Sequence, residues 1–215
     1  MKPFEKWKTQ EVEDTFGIRQ KETLPEMQAW LNTDFKIDAA EEKTLQKLQD
    51  LLRKFVDFWN EEDLKVFFIL PLINLVDFYQ WDKYRPFNEQ LLEQEVPDVH
   101  NQLIKLRGFV ELMVATGKQI PKIPFFFIQE YKPQFGPKND PKGQLLCEMV
   151  ATQAKNADNL PLYGLYVVGR SWFFVLLKDK DYIVSKAFDS YESDDLPCIV
   201  QMLKFVKAEI DKRVQ

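Results

Sequence analysis

The sequence predicts an α/β sandwich, a central mixed sheet with helices on both faces. Three observations carry that expectation. A helical period of apolar residues begins near Asp38. Two strand-like apolar runs, Leu106–Ala115 and Pro124–Ile128, follow with a hairpin-length connection between them. Beyond them a helix, a hairpin and a final helix complete the alternation. With 215 residues, 45% apolar and 14% aromatic, including 18 Phe and five Trp, the chain can bury one sizeable aromatic core.

Residues 1–37 mix charges with isolated aromatics (Trp7, Phe16, Trp30, Phe35) and show no clean period. They are expected to be an N-terminal extension packing on the core, with a helix near Pro25–Leu31, and residues 38–215 a single domain. From Asp38, residues Leu45, Leu48, Leu52, Phe55 and Trp59 recur at helical spacing. Asn60 then reads as an N-cap, with Glu61, Glu62 and Asp63 in the first turn, where negative charge suits the helix dipole. Val66–Val76 is apolar nearly all round, a buried helix bent or ended at Pro71. Tyr79, Trp81, Tyr84 and Phe87 form an aromatic cluster that suits a core or a base-stacking surface. A first strand is expected within Phe87–Val96.

After the two apolar runs, Gln134–Lys142 reads as a loop and Gly143 as the start of a helix with Leu145, Leu146, Met149 and Val150 on its apolar side. Pro161–Val168 and Ser171–Leu177 read as a hairpin about Gly169-Arg170, with a short strand in Tyr182–Phe188. Leu196, Ile199, Val200, Leu203, Val206 and Ile210 mark a last amphipathic helix.

Several function classes lose support at this level. A single histidine, His100, stands far from any nucleophile, which argues against Ser-His or Cys-His catalysis. Cys147 and Cys198 lack metal-ligand spacing, so no zinc site is expected, and both read as buried thiols of a reducing compartment. The charged N-terminus has no signal-peptide core, and no apolar run reaches membrane-spanning length, so a cytoplasmic protein without a membrane partner is expected. A net charge of −5 counts against broad, non-specific nucleic-acid affinity, which comes from neutralised phosphates. Lys122, Lys132, Lys138 and Lys142 gather in sequence, which suits a phosphate-bearing ligand or a solvated loop.

The chemistry concentrates at the ends of the two apolar runs. Glu130 and Lys132, two residues apart on a strand, share a face; read alone they are an ion pair where a strand leaves the core. Antiparallel pairing keeps the sum of partner numbers constant, and a turn centred between Ile120 and Pro121 sets Glu111 opposite Glu130. Two opposed carboxylates repel unless a cation lies between them, and an oxygen-seeking divalent ion such as Mg²⁺ suits that position.

Gly108-Phe109-Val110-Glu111, then Gln129-Glu130-Tyr131-Lys132, then Gly143-Gln144-Leu145-Leu146 resemble in order and spacing the motifs of the PD-(D/E)xK nuclease superfamily. Asn60-Glu61 ahead of Ile69-Leu70-Pro71-Leu72 is similar to the nuclease domain of type I restriction enzymes and allied stand-alone proteins, and the resemblance covers roughly Asn60 to Ala187. It implies a restriction-endonuclease-like fold and a Mg²⁺- or Mn²⁺-dependent nuclease acting on nucleic acid, DNA ahead of RNA, in an oligomeric state left open. It also implies roles: Glu111 and Glu130 as metal ligands, Lys132 at the attacking water, Gln144 as an orienter of water or phosphate, and Glu61 as an outer ligand or orienter. Two positions depart from the pattern, Glu111 where the family mostly has Asp and Glu148 where related exonucleases often have Tyr. A catalytically inactive relative, binding nucleic acid or protein on the same fold, is the second reading.

Overall fold

The structure, a computed structural model, describes residues 2–80, 82–134 and 139–214, with backbone alone for 124 and 126–129. Along the chain come α1 (Thr9–Phe16), β1 (Arg19–Gln20), α2 (Pro25–Leu31), α3 (Ala39–Phe55), α4 (Glu61–Leu64), a π-turn (Lys65–Ile69) and α5 (Leu70–Val76). Then follow β2 (Arg85–Pro97), β3 (Leu103–Thr116), β4 (Lys122–Lys132), α6 (Pro141–Asn156), β5 (Leu162–Val168), β6 (Ser171–Lys178), β7 (Asp181–Val184), β8 (Phe188–Asp189) and α7 (Asp195–Arg213). The strands form one mixed sheet in the order β1-β7-β6-β5-β4-β3-β2, with β8 on β6. The β4–β5 and β1–β7 pairs are parallel and the others antiparallel.

Helices cover both faces, as the sequence predicts, and this arrangement is consistent with a restriction-endonuclease-like core. One apolar layer joins Trp30, Leu52, Leu72 and Leu203 of the helices to Val114, Tyr131 and Trp172 of the sheet. The other joins Val12, Phe16, Leu145 and Met149 to Met113, Tyr166 and Val175. The apolar run in β4 follows from its place, paired with β3 and β5 and covered on both faces.

Local chemistry sets the helix starts. Asp38 caps α3 by accepting from the amides of Ala40 (2.8 Å) and Glu41 (2.9 Å), while the Glu41 carboxylate accepts from the Asp38 amide at 2.8 Å. Asn60 caps α4 by accepting from the Asp63 amide at 2.9 Å. Asp140 caps α6 through the Gly143 amide (2.9 Å) and also accepts from the Thr9 amide (2.7 Å) and hydroxyl (2.8 Å). One carboxylate thus fastens α1 to α6. At Gly143 an added Cβ would meet the Thr9 amide at 2.5 Å, so this crossing requires glycine.

Several expectations change. The first 37 residues hold α1 and β1 as well as α2, and Phe4, Trp7, Val12, Phe16, Ile18, Met27 and Trp30 are buried. Widely spaced aromatics hid these elements, because each short helix buries only one or two residues. The helix from Asp38 ends at Phe55, short of Trp59. Val66 and Phe67 are 44% and 48% exposed, so the α4–α5 segment is not buried all round. It runs through Pro71, whose missing amide falls in the first turn of α5, after the π-turn. Helix α6 starts at Pro141, two residues before Gly143. Cys147 is buried, but Cys198 is only partly so. Tyr84 and Phe87 belong to the core, and Tyr79 is exposed. Trp81 and Lys138 lie outside the described residues. Among the described residues, no helix is long and apolar enough to cross a membrane.

Candidate active site at a fork in the sheet

The β3–β4 ladder holds the expected sum over Leu112–Gln129, Met113–Ile128 and Val114–Phe127, then shifts at bulges toward the turn. It stops one step short of Glu111 and Glu130. The two strands part where the acids stand.

On its other side, β3 pairs Val110 with Gln90 and Leu112 with Asn88, and the ladder skips Glu111 and Glu89. Glu89 is left-handed, with φ 49°. Regular alternation would put Val110 and Leu112 on one side of the sheet. Instead Val110 packs in the layer of α6, and Leu112 in the layer of α5. Glu111 therefore stands at a change of phase in the pleat, within reach of both helical layers.

A cavity of about 530 Å³ opens at this fork, lined by Phe4, Phe109, Glu61, Glu111, Lys132 and Gln144, among others. The N-terminal segment supplies one wall. Phe4 lies so close to Gly108 that a Cβ there would meet its ring at 2.5 Å. Glu130 is fully buried behind two of these lining residues, Lys132 and Gln144. Its Oε1 accepts from Lys132 Nζ, and its Oε2 accepts from Gln144 Nε2 at 2.7 Å. Lys132 Nζ also donates to the Tyr131 carbonyl at 3.1 Å and lies 3.7 Å from Glu61 Oε1. The structure thus gathers all five residues singled out in the sequence, Glu61, Glu111, Glu130, Lys132 and Gln144.

Burial raises the Glu130 pKa to about 7, opposed by the Lys132 ammonium and reinforced by the charges of Glu111 and Glu61. Burial raises Glu61 as well, and Lys132 again opposes it. For Lys132 burial pulls downward, yet Glu130, Glu61 and Glu111 outweigh it and hold the ammonium above its ordinary range.

Two ionisable residues near the site have no role assigned from the sequence. Glu148, fully buried one turn along α6, accepts from Gln144 Nε2 at 3.1 Å through Oε1, while its Oε2 has no partner. Burial, then the Glu130 charge, pushes its pKa well up, which favours the neutral form of Glu148. Gln144, Glu148, Thr152 and Asn156 recur every four residues along α6, a polar stripe whose two ends bond to β4 at Glu130 and Phe125. Asn156 closes it by donating to the Phe125 carbonyl (2.7 Å) and accepting from its amide (2.8 Å). That spacing is legible in the sequence, although the apolar residues between dominate the helical pattern.

The other is Lys65, whose side chain is 7% exposed, with Nζ 2.7 Å from Glu89, 3.7 Å from Glu111 and 3.8 Å from Glu62. Burial pulls its pKa down, but Glu89, Glu111 and Glu62 outweigh burial and raise it. Nothing in the pattern announced it, because its aim depends on the π-turn. Conversely, Lys122 lines a separate cavity at the hairpin end with Lys83 and Lys118, so Lys122 and Lys132 do not share a site.

The donors converging here are oxygens, which suit a hard cation such as Mg²⁺ rather than a soft one. Gln144 Oε1 is buried without a hydrogen-bond partner, an unfilled acceptor beside the acids. Among the described residues no three His, Cys, Asp or Glu side chains form a ready metal cage. The acids here offer at most a pair of carboxylates to an ion, and Mg²⁺ at this fork would need water or phosphate oxygens to complete its shell.

No protein-family model matches this chain, and no curated protein does. Among solved structures, the chain is similar to one in a cryo-electron microscopy structure of the DrdV–DNA complex, with TM-score 0.41 and 15% identity. The match covers 77% of this chain and 14% of that one.

Proposed function

We propose that the protein is a Mg²⁺-dependent nuclease, with Mn²⁺ as a working substitute, that hydrolyses phosphodiester bonds of nucleic acid. DNA is the substrate that its motifs imply. The observation that carries this reading is the clamp on Glu130, a buried carboxylate held between Lys132 and Gln144 beside the cavity that Glu111 and Glu61 line. A buried acid gripped by a lysine at a break in a sheet is expensive as mere architecture, and burial pushes its pKa up to about 7, a strain toward neutrality that a bound cation would relieve.

Glu111 and Glu130 would hold the ion. When bound, it polarises the scissile phosphate and lowers the pKa of a water. Lys132 moves from Glu130 toward the attacking water and the non-bridging oxygens, where its charge opposes the negative charge that develops. Gln144 Oε1 accepts a hydrogen bond from that water and so orients its lone pair toward phosphorus. Water oxygen adds to phosphorus as the bond to the leaving sugar oxygen breaks; the proton the water loses passes to solvent, and the leaving oxygen takes a proton from solvent. Glu61, 3.7 Å from Lys132, steadies the ammonium throughout.

Cleavage of single- and double-stranded DNA and RNA with Mg²⁺ or Mn²⁺ tests the reading. Wild type should cut at least one substrate in a metal-dependent way; Lys132→Ala should lose cleavage by about 10²-fold or more yet keep metal affinity, since its charge serves the water and the phosphate. Equal cleavage by wild type and Lys132→Ala would refute the assignment. Lys132 closed on Glu130, together with the missing third acid, favours as second reading a nuclease-fold module that binds without cutting. Binding of a nucleic acid or protein, with no cleavage by wild type in any metal, is its signature.

A further inference from the structure

An exposed aromatic ring stands at the rim of the fork. Phe109 lines the cavity together with Glu61, Glu111, Lys132 and Gln144, and it is 66% exposed. The strand explains this exposure. Leu106 and Val110 turn into the α6 layer, and Gly108 rests against Phe4 of that same layer, so alternation turns Phe109 to the other side of β3. Its partner across the ladder is Leu91, itself 46% exposed, and the two side chains make a small apolar shelf. Phe109 precedes Glu111 by two residues, about 7 Å along the strand. A single exposed apolar side chain needs no explanation by itself, but this one shares a cavity wall with the acids and the lysine of the site.

Among the described lining residues the ionisable ones are Glu5, Glu61, Glu111 and Lys132, three acids against one base, and the chain as a whole carries a net charge of −5. Neutralised phosphates therefore supply little affinity here, and a nucleic-acid strand needs another hold. Stacking on an aromatic ring is such a hold, because every base has a π-face. In a duplex those faces are covered by neighbouring base pairs, and a protein meets base edges and phosphates instead. The reactive groups are also recessed, with Glu130 fully buried and the Lys132 side chain only 13% exposed. We infer that Phe109 is a specificity-determining residue that stacks an unpaired base beside the scissile phosphate, which makes single-stranded DNA the substrate of this site. This rests on the nuclease reading above. The cavity, about 530 Å³, has the size of a small-ligand site, so it takes one nucleotide unit while the base rests on the shelf of Phe109 and Leu91.

The test is fluorescence anisotropy of a labelled DNA single strand of mixed sequence, about 12 nucleotides long, and of the duplex it forms, in Ca²⁺, a hard ion that takes the same carboxylate oxygens. Wild type should bind the single strand about 10-fold or more tightly than the duplex. Phe109→Ala and Phe109→Leu, which lack a ring, should lose about 10-fold of the single-strand affinity, and Phe109→Trp should keep it. Equal or tighter binding of the duplex by wild type would overturn the inference. So would wild-type affinity in Phe109→Leu, or a fall in Phe109→Trp as large as in Phe109→Ala. Metal-dependent cutting of a duplex by wild type alongside any of these results would leave the nuclease reading standing. Absence of single-strand binding would also overturn the inference, and with no cutting of any substrate it would remove the nuclease reading as well. Each variant is checked by circular dichroism and melting. An exposed ring predicts a Tm close to wild type, and a variant that fails to fold would show Phe109 to be a packed residue and overturn the inference.

Discussion

Replacing Glu130 with Gln removes a carboxylate whose folded and unfolded states differ in proton affinity, so its signature is a change in how stability varies with pH. The native state raises Glu130 from an ordinary 4.5 to about 7. A raised acid binds more protons folded than unfolded between those values, so its contribution is fully present below about 4.5 and is lost as pH rises through about 7. At about 1.4 kcal/mol per pKa unit, the difference amounts to roughly 3 kcal/mol across that window. Gln cannot titrate. In chelator, the stability of Glu130→Gln minus that of wild type should therefore grow by about 3 kcal/mol between pH 4 and pH 8, or about 6–12 °C in Tm for a domain of this size. The loss of the Lys132 partner shifts the difference at every pH but leaves the slope, because Glu61 stays beside the ammonium and Lys132 remains charged throughout. Urea unfolding at five pH values measures it. Parallel stability curves for the two proteins would refute the burial argument and, with it, the claim that Glu130 is strained toward neutrality.

Thr152 is fully buried, and its hydroxyl has no partner, so Thr152→Val should stabilise the protein by about 1 kcal/mol in urea unfolding, as deleting an unsatisfied buried hydroxyl does. Destabilisation would show that an ordered water serves the stripe. Gly143→Ala brings a methyl to 2.5 Å from the Thr9 amide and should cost about 1–3 kcal/mol while loosening the N-terminal wall of the cavity, read as faster amide exchange in α1. Unchanged stability and exchange would mean that the crossing is not tight. Asp140→Ala removes the cap of α6 and two bonds to Thr9, and a loss of about 2 kcal/mol is expected by thermal unfolding, with no loss indicating that water replaces the cap.

Much of the sheet was legible because its strands are local and strongly patterned. The apolar runs of β3 and β4 and the hairpin of β5 and β6 declare themselves, and the sum that sets Glu111 beside Glu130 governs the ladder up to its last pair, Leu112–Gln129. The N-terminal elements were not legible, since β1 has two residues and pairs with β7 across nearly the whole chain. Site residues at the ends of strands could be read from spacing. Lys65 could not, because a π-turn leaves no mark in apolar periodicity and its partners come from two other elements. Glu148 is legible both as a departure from a motif and as one of four polar residues at a spacing of four, and only the second places it beside Gln144.

The most direct test of the central claim is a crystal of the wild-type protein soaked in Mn²⁺ and measured for anomalous scattering. The account predicts one peak at the fork, ligated by Glu111 and Glu130, with Lys132 withdrawn from Glu130 and Gln144 Oε1 facing a water. Full-occupancy Mn²⁺ elsewhere, with the fork unchanged and Lys132 still on Glu130, would contradict it.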